Sequence, residues 1–187
     1  MFEELNQPAD IAATRLLGCV FEREINGQIL RARIVETEAY DQNDPASHTH
    51  RGETPRNKIM FEEAGYLYVY FIYGMHYCCN VVTGPQGFGE AALIRAVEPI
   101  DGIKIMEDNR AGHIGKTLTN GPSKLCSALD ITKDLNGHDL KYEPLKLIMN
   151  PALPDDMVVQ TTRVGLKKAA DVPWRFYIKD NQYVSKI

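Results

Sequence analysis

The chain has 187 residues, 44% of them hydrophobic and 25% charged, with a formal net charge of −4 at pH 7. That length suits one domain, and the composition excludes wholesale disorder and fibrous classes. No run approaches the ~18 consecutive apolar residues of a membrane span, and the acidic balance counts against a general nucleic-acid binder.

The opening Met1-Phe-Glu-Glu-Leu-Asn is acidic and lacks the basic region and apolar run of a secretory signal. Cys19, Cys78, Cys79 and Cys126 include an adjacent pair and no C-x-x-C spacing. Neither a disulfide framework nor a zinc ribbon follows from them, so reduced, buried thiols in a cytoplasmic protein are expected.

Pro8 followed by Ala9 to Leu17 and then Gly18 predicts a short helix. Cys19 to Arg23 and Ile29 to Tyr40 predict paired strands turning at Asn26-Gly27. Asp41 to Asn57 is polar and proline-bearing, a loop of functional length. Tyr66 to Val82, rich in aromatic and branched residues and broken at Gly74, predicts a hairpin. Thr83 to Gly89 reads as a hairpin loop and Ala91 to Val97 as a strand. Pro99 to Arg110 and Ser123 to Leu129 predict helices, and the last forty residues two or three short strands. The pattern is α+β: a single mixed domain over residues 1–187 around a curved, mostly antiparallel sheet.

Alternation along the second strand places Ile34, Glu36, Glu38 and Tyr40 on one face. Two carboxylates there could be a solvated edge that resists aggregation, or one could be a general base beside a pocket ring. Tyr66-Leu-Tyr-Val-Tyr-Phe-Ile-Tyr-Gly-Met-His-Tyr77 holds five of the nine tyrosines. Leu67, Val69, Phe71 and Ile72 read as core. Tyr66, Tyr68 and Tyr70 share a face, where each buried hydroxyl needs a partner, and aromatic faces beside a groove can stack bases. A turn tipped by Tyr73, Gly74 and Met75 would present an apolar wedge of the kind that unstacks bases. His48-Thr-His50 has no H-E-x-x-H or helical pairing, and no metal is expected. Asn120-Gly-Pro-Ser-Lys124 opens a helix where Ser123 could cap, or free amides beside Lys124 could receive a phosphate.

Several blocks together resemble the alkyladenine (3-methyladenine) DNA glycosylase family. They are Arg33-Ile-Val-Glu-Thr-Glu-Ala-Tyr40, Thr54-Pro-Arg-Asn57, Tyr68 to Met75, Leu93-Ile-Arg-Ala-Val-Glu-Pro99, Asn120 to Cys126 and Arg163-Val-Gly165. They run in the family's order over nearly the whole chain. The resemblance implies a domain that inserts a protruding β-hairpin into the minor groove of damaged double-stranded DNA. It implies hydrolysis of the N-glycosidic bond to a damaged purine (3-methyladenine, 7-methylguanine, hypoxanthine or ethenoadenine), with no metal or redox cofactor. On this resemblance Glu38 is the general base, with Arg95 and the Val164 carbonyl positioning its water. Tyr40, His48 and Tyr70 sandwich the flipped base, Tyr68 belongs to the same wall, and Asn80 screens guanine's amine. Tyr73 fills the vacated stack beside Met75.

No lysine stands beside Glu38 in the sequence, so a monofunctional enzyme without strand cleavage is expected. His76 stands where vertebrate members carry tyrosine, the loop from His48 to Thr54 is one residue shorter, and no basic N-terminal extension precedes the domain. These departures point to a cytoplasmic bacterial member, and nothing demands more than a monomer. A local basic patch would reconcile DNA binding with the acidic total. Its candidates are Arg51, Arg56, Lys58, Ser123, Lys124, Arg163, Lys167 and Lys168. A non-catalytic damage-binding module with the same cradle, and a metal hydrolase on His48 and His50, are the alternatives.

Overall fold

The computed structural model describes residues 2–72 and 74–185. Its centre is a curled antiparallel sheet with few helices, as the α+β pattern predicts. The strands are β1 (Val20–Ile25), β2 (Gln28–Tyr40), β3 (Leu67–Ile72), β4 (His76–Val82), β5 (Ala91–Asp101), β6 (Leu145–Ile148), β7 (Val158–Thr161) and β8 (Arg175–Ile178). The helices are α1 (Ala9–Arg15), α2 (Ile103–Asn109) and α3 (Pro122–Ala128).

The strand order is β3-β4-β5-β2-β1-β6, with β8 pairing with both β2 and β7. β2 starts directly after the turn in which Asn26 and Gly27 take positive φ. Its first half pairs with β1, whereas Glu36, Thr37 and Glu38 pair with β8 on one side and β5 on the other. These residues therefore lie in the sheet interior, where a solvated edge is impossible. The β2–β5 register shifts on either side of Glu36, leaving Arg95 opposite no β2 residue. Such irregularities re-aim side chains.

α1 packs on β2 and β5, and the Thr37 hydroxyl donates to the Ala13 carbonyl at 2.9 Å. α3 packs on β4 and β5. Leu16, Leu17, Phe21, Ile34, Leu67, Ile94 and Leu125 are fully buried in the resulting core, each contributing about 1.5–3 kcal/mol by leaving water. All four cysteines are free and buried.

Two expected boundaries shift. Residues 99–101 remain in β5, with Pro99 opposite Ala32, and the helix begins only after Gly102, whose φ of 71° turns the chain. Gly121, not Ser123, stands before α3, and no side chain caps that helix.

Candidate active site

The end of β2 delivers Glu38 and Tyr40 to one side of the sheet, two residues apart. Glu38 is 0% exposed. Its Oε1 accepts the Val164 backbone N–H at 2.8 Å and lies 3.2 Å from an Arg95 guanidinium nitrogen. Its Oε2 accepts the Tyr40 hydroxyl at 2.8 Å. Burial, and secondly the Glu38 charge, push the Tyr40 phenol far above its ordinary value, so it remains a proton donor. Val164, whose carbonyl the resemblance assigns to positioning the water, meets Glu38 through its N–H.

Glu36 forms the layer behind. Its Oε1 accepts Arg95 Nε at 3.1 Å, Arg175 Nε at 2.7 Å and the Ser185 hydroxyl at 2.8 Å. Its Oε2 accepts the Ser185 N–H at 2.6 Å. Arg95 thus bridges two buried carboxylates, Glu36 and Glu38, and burial is compensated by full pairing.

Beside Tyr40, the hydrogen-bond partner of Glu38, opens a pocket of about 130 Å³ lined by Tyr40, Ala46, His48, Met60, Tyr68, Tyr70, Asn80 and Leu166. The Tyr68 and Tyr70 rings stack at 5.6 Å and 23°, while His48 meets Tyr70 edge-on at 4.7 Å. His48 Nδ1 lies 3.1 Å from the Tyr68 hydroxyl, and Asn57 fixes its backbone by donating to the His48 carbonyl at 2.8 Å. Burial first, and the Arg56 charge second, hold the His48 imidazole below its ordinary value, favouring the neutral ring. Asn80 donates to the Tyr68 carbonyl at 3.3 Å, which sets its amide in the pocket wall. Tyr66 lies outside the pocket lining, packed with Met60 and bridged to Asp139. The Cys78 thiol beside Tyr70 is pushed up to about 11 by burial, so it is an inert neutral group.

β3 and β4 form the expected hairpin, with Met75 in its turn 70% exposed. Tyr73, expected at the tip, lies outside the described residues. Ser123 is half-buried in a groove it shares with Met75 and His76. Arg51, Arg56, Lys58, Lys167 and Lys168 are exposed, and Lys124 Nζ donates to Asn120 at 2.7 Å.

Arg163 overturns its assignment to the phosphate-binding patch. Its side chain is fully enclosed and ion-paired with Asp44, so no phosphate can reach it. Among the described residues, no three His, Cys, Asp or Glu side chains come together to hold a metal, and no helix is long and apolar enough to cross a membrane.

Sequence reasoning missed Ala46, Met60 and Leu166 in the pocket and Asp44, Arg175 and Ser185 behind it. Arg175 had a signal: a cation inside the apolar run Pro173-Trp-Arg-Phe-Tyr-Ile178 implies a buried partner. The others carry none that distinguishes them from ordinary loop and core residues.

The fold thus sets a buried carboxylate, held by an arginine, a backbone amide and a tyrosine, next to an aromatic pocket and an exposed hairpin turn. Residues 3–182 match the family model described as methylpurine-DNA glycosylase (MPG), and the chain belongs to that family. It is 52% identical over 178 residues to a protein of Carboxydothermus hydrogenoformans, covering 94% of this chain and 93% of the relative. It is 50% identical over 180 residues to one of Methanoculleus marisnigri, covering 93% and 92%. A Francisella tularensis protein is 49% identical over 178 residues, covering 94% and 92%. All three are provisionally named 3-methyladenine DNA glycosylases.

Proposed function

We propose that the protein excises alkylated purines such as 3-methyladenine from duplex DNA by hydrolysing the N-glycosidic bond, with Glu38 as general base. The observation that carries this reading is the buried Glu38 carboxylate, held by Val164, Arg95 and Tyr40 at the edge of the aromatic pocket.

A base inside a duplex is out of reach, so the nucleotide rotates into the pocket at a cost of a few kcal/mol in lost stacking and pairing. The exposed hairpin turn at Met75, with Tyr73, fills the vacated space. Tyr40, His48 and Tyr70 supply ring faces and edges, and Asn80 disfavours a purine carrying the guanine amine. An N3- or N7-alkylated purine is cationic, and it gains from aromatic faces, from a neutral His48 and from the nearby Glu38 charge.

That cation also simplifies the chemistry. Glycosidases ordinarily pair an acid with a base or nucleophile, whereas a cationic purine leaves without protonation. Water adds to C1′ as the C1′–N bond breaks; the bonding pair neutralises the departing purine, and the water's proton passes to Glu38. The carboxylate also stabilises the positive charge that develops on the sugar. Exposed Arg51, Arg56 and Lys58 beside the His48 loop take DNA phosphates.

Single-turnover release of free base from alkylated and hypoxanthine-containing duplexes, in EDTA, tests this directly. Wild type should release base and Glu38→Gln should bind without releasing it. Release undiminished in the variant would remove Glu38 as base, and binding without release by wild type would indicate a damage-binding module.

A further inference from the structure

Arg163 has no place in the mechanism above, yet it is built into the site with unusual cost. Its guanidinium donates to the Ala39 carbonyl at 2.9 Å and the Ala169 carbonyl at 3.3 Å, and pairs with Asp44. It lies 4.6 Å from the Tyr40 ring centroid and 5.5 Å from that of Trp174. Its Nε is buried without a hydrogen-bond partner. Tyr40 lines the open pocket while the Arg163 side chain has 0% exposure, so the guanidinium covers the ring face turned into the protein.

Three chain segments meet on this one side chain. Ala39 and Tyr40 end β2; Asp44 lies in the following loop, which carries Ala46 and His48; residues 163–169 carry Val164 and Leu166. Each supplies a pocket wall or a Glu38 contact. A buried ion pair with an unsatisfied nitrogen is a poor stabiliser compared with apolar packing. What a planar guanidinium offers, and a lysine does not, is a flat stack combined with several fixed donors.

We propose that Arg163 is a positioning residue for base capture: it holds the Tyr40 ring in the plane on which the extruded purine stacks, and locks the His48 loop to the Val164 segment. This rests on the proposed function and adds a specific role within it. Tyr40 would be free to tilt toward the pocket without the guanidinium behind it, and a misplaced stacking ring raises the cost of capture.

The test reads capture separately from hydrolysis. In a Glu38→Gln background, fluorescence of ethenoadenine in a duplex reports the extruded base without bond breakage. Arg163→Met combined with Asp44→Asn removes both buried charges; Arg163→Lys keeps the ion pair and is the second variant should the first not fold. Each should weaken capture by at least about tenfold, since small misplacements at such sites are costly. In a Tyr40→Ala background the same changes should add less than about twofold, because residues acting through one another are not additive. Equal losses in both backgrounds, unchanged capture, or full rescue by lysine would overturn the proposal. Base release that survives Glu38→Gln would instead remove Glu38 as the base and leave the capture result to be judged by itself.

Discussion

The Tyr40 hydroxyl donates to Glu38 Oε2 at 2.8 Å, so the ring that walls the pocket also holds the buried carboxylate. The relationship follows from strand geometry: side chains two residues apart on β2 stand on the same face. Pocket wall and buried carboxylate are thereby joined through one side chain, and the ring and the hydroxyl can be separated.

Tyr40→Phe keeps the ring and removes the donor. Single-turnover excision should fall about tenfold, the value of one charge-assisted hydrogen bond, while ethenoadenine capture stays at the wild-type level. Tyr40→Leu should lose both. Equal capture losses in the two variants would show that capture depends on the hydroxyl, and would sink the separation of ring from donor.

Glu36 sits fully buried between Arg95 and Arg175 and receives two bonds from Ser185. Glu36→Gln takes one negative charge from a buried cluster in which Arg95 keeps only Glu38, and removing one partner of a buried ionic cluster costs about 3 kcal/mol or more. Urea unfolding should register that loss. Excision should also fall at temperatures where the variant is folded, because Arg95 is released from Glu36 and no longer fixed beside Glu38. Wild-type stability would mean that the cluster contributes nothing to the fold.

Met75 touches water, not core, at the hairpin turn. Met75→Ala should change stability by no more than about 0.5 kcal/mol. Excision from duplex should slow more than excision from a single strand, where no stack has to be opened. Parallel effects on both substrates would remove the wedge role from this residue.

Glu90 predicts a pH dependence of stability unrelated to catalysis. Burial first, with the Asp41 and Asp10 charges adding to it, raises its carboxyl from the ordinary 4.5 to about 7, against the opposing hydrogen bond from the Ala9 N–H at 2.7 Å. A raised folded-state value means that the folded protein binds the proton more tightly than the unfolded chain. Its contribution is therefore full below about 4.5 and is lost as pH rises to about 7. Glu90→Gln, which can still accept the Ala9 bond, should flatten the fall in Tm between pH 5 and 7. An unchanged slope would place the proton elsewhere.

The sequence by itself determined the strand order of chemistry along the chain. The Asn26-Gly27 turn, the β2 alternation that pairs Glu38 with Tyr40, the aromatic hairpin and the blocks shared with the family were all legible, because they depend on local periodicity and turn chemistry. Tertiary structure decided which charges are buried. The family blocks told Glu38 from Glu36, but only the closing of β5 and β8 on both sides of the strand buried both, Glu36 on Arg175 and Ser185 and Glu38 on Val164 and Tyr40. Arg163 looked like one more basic residue for a phosphate patch, and Asp44 like a loop acid, until the fold brought them together behind Tyr40. Sequence spacing fixes which face of a strand a side chain leaves from, but burial and pairing depend on segments more than a hundred residues away, and only the closed fold brings those together.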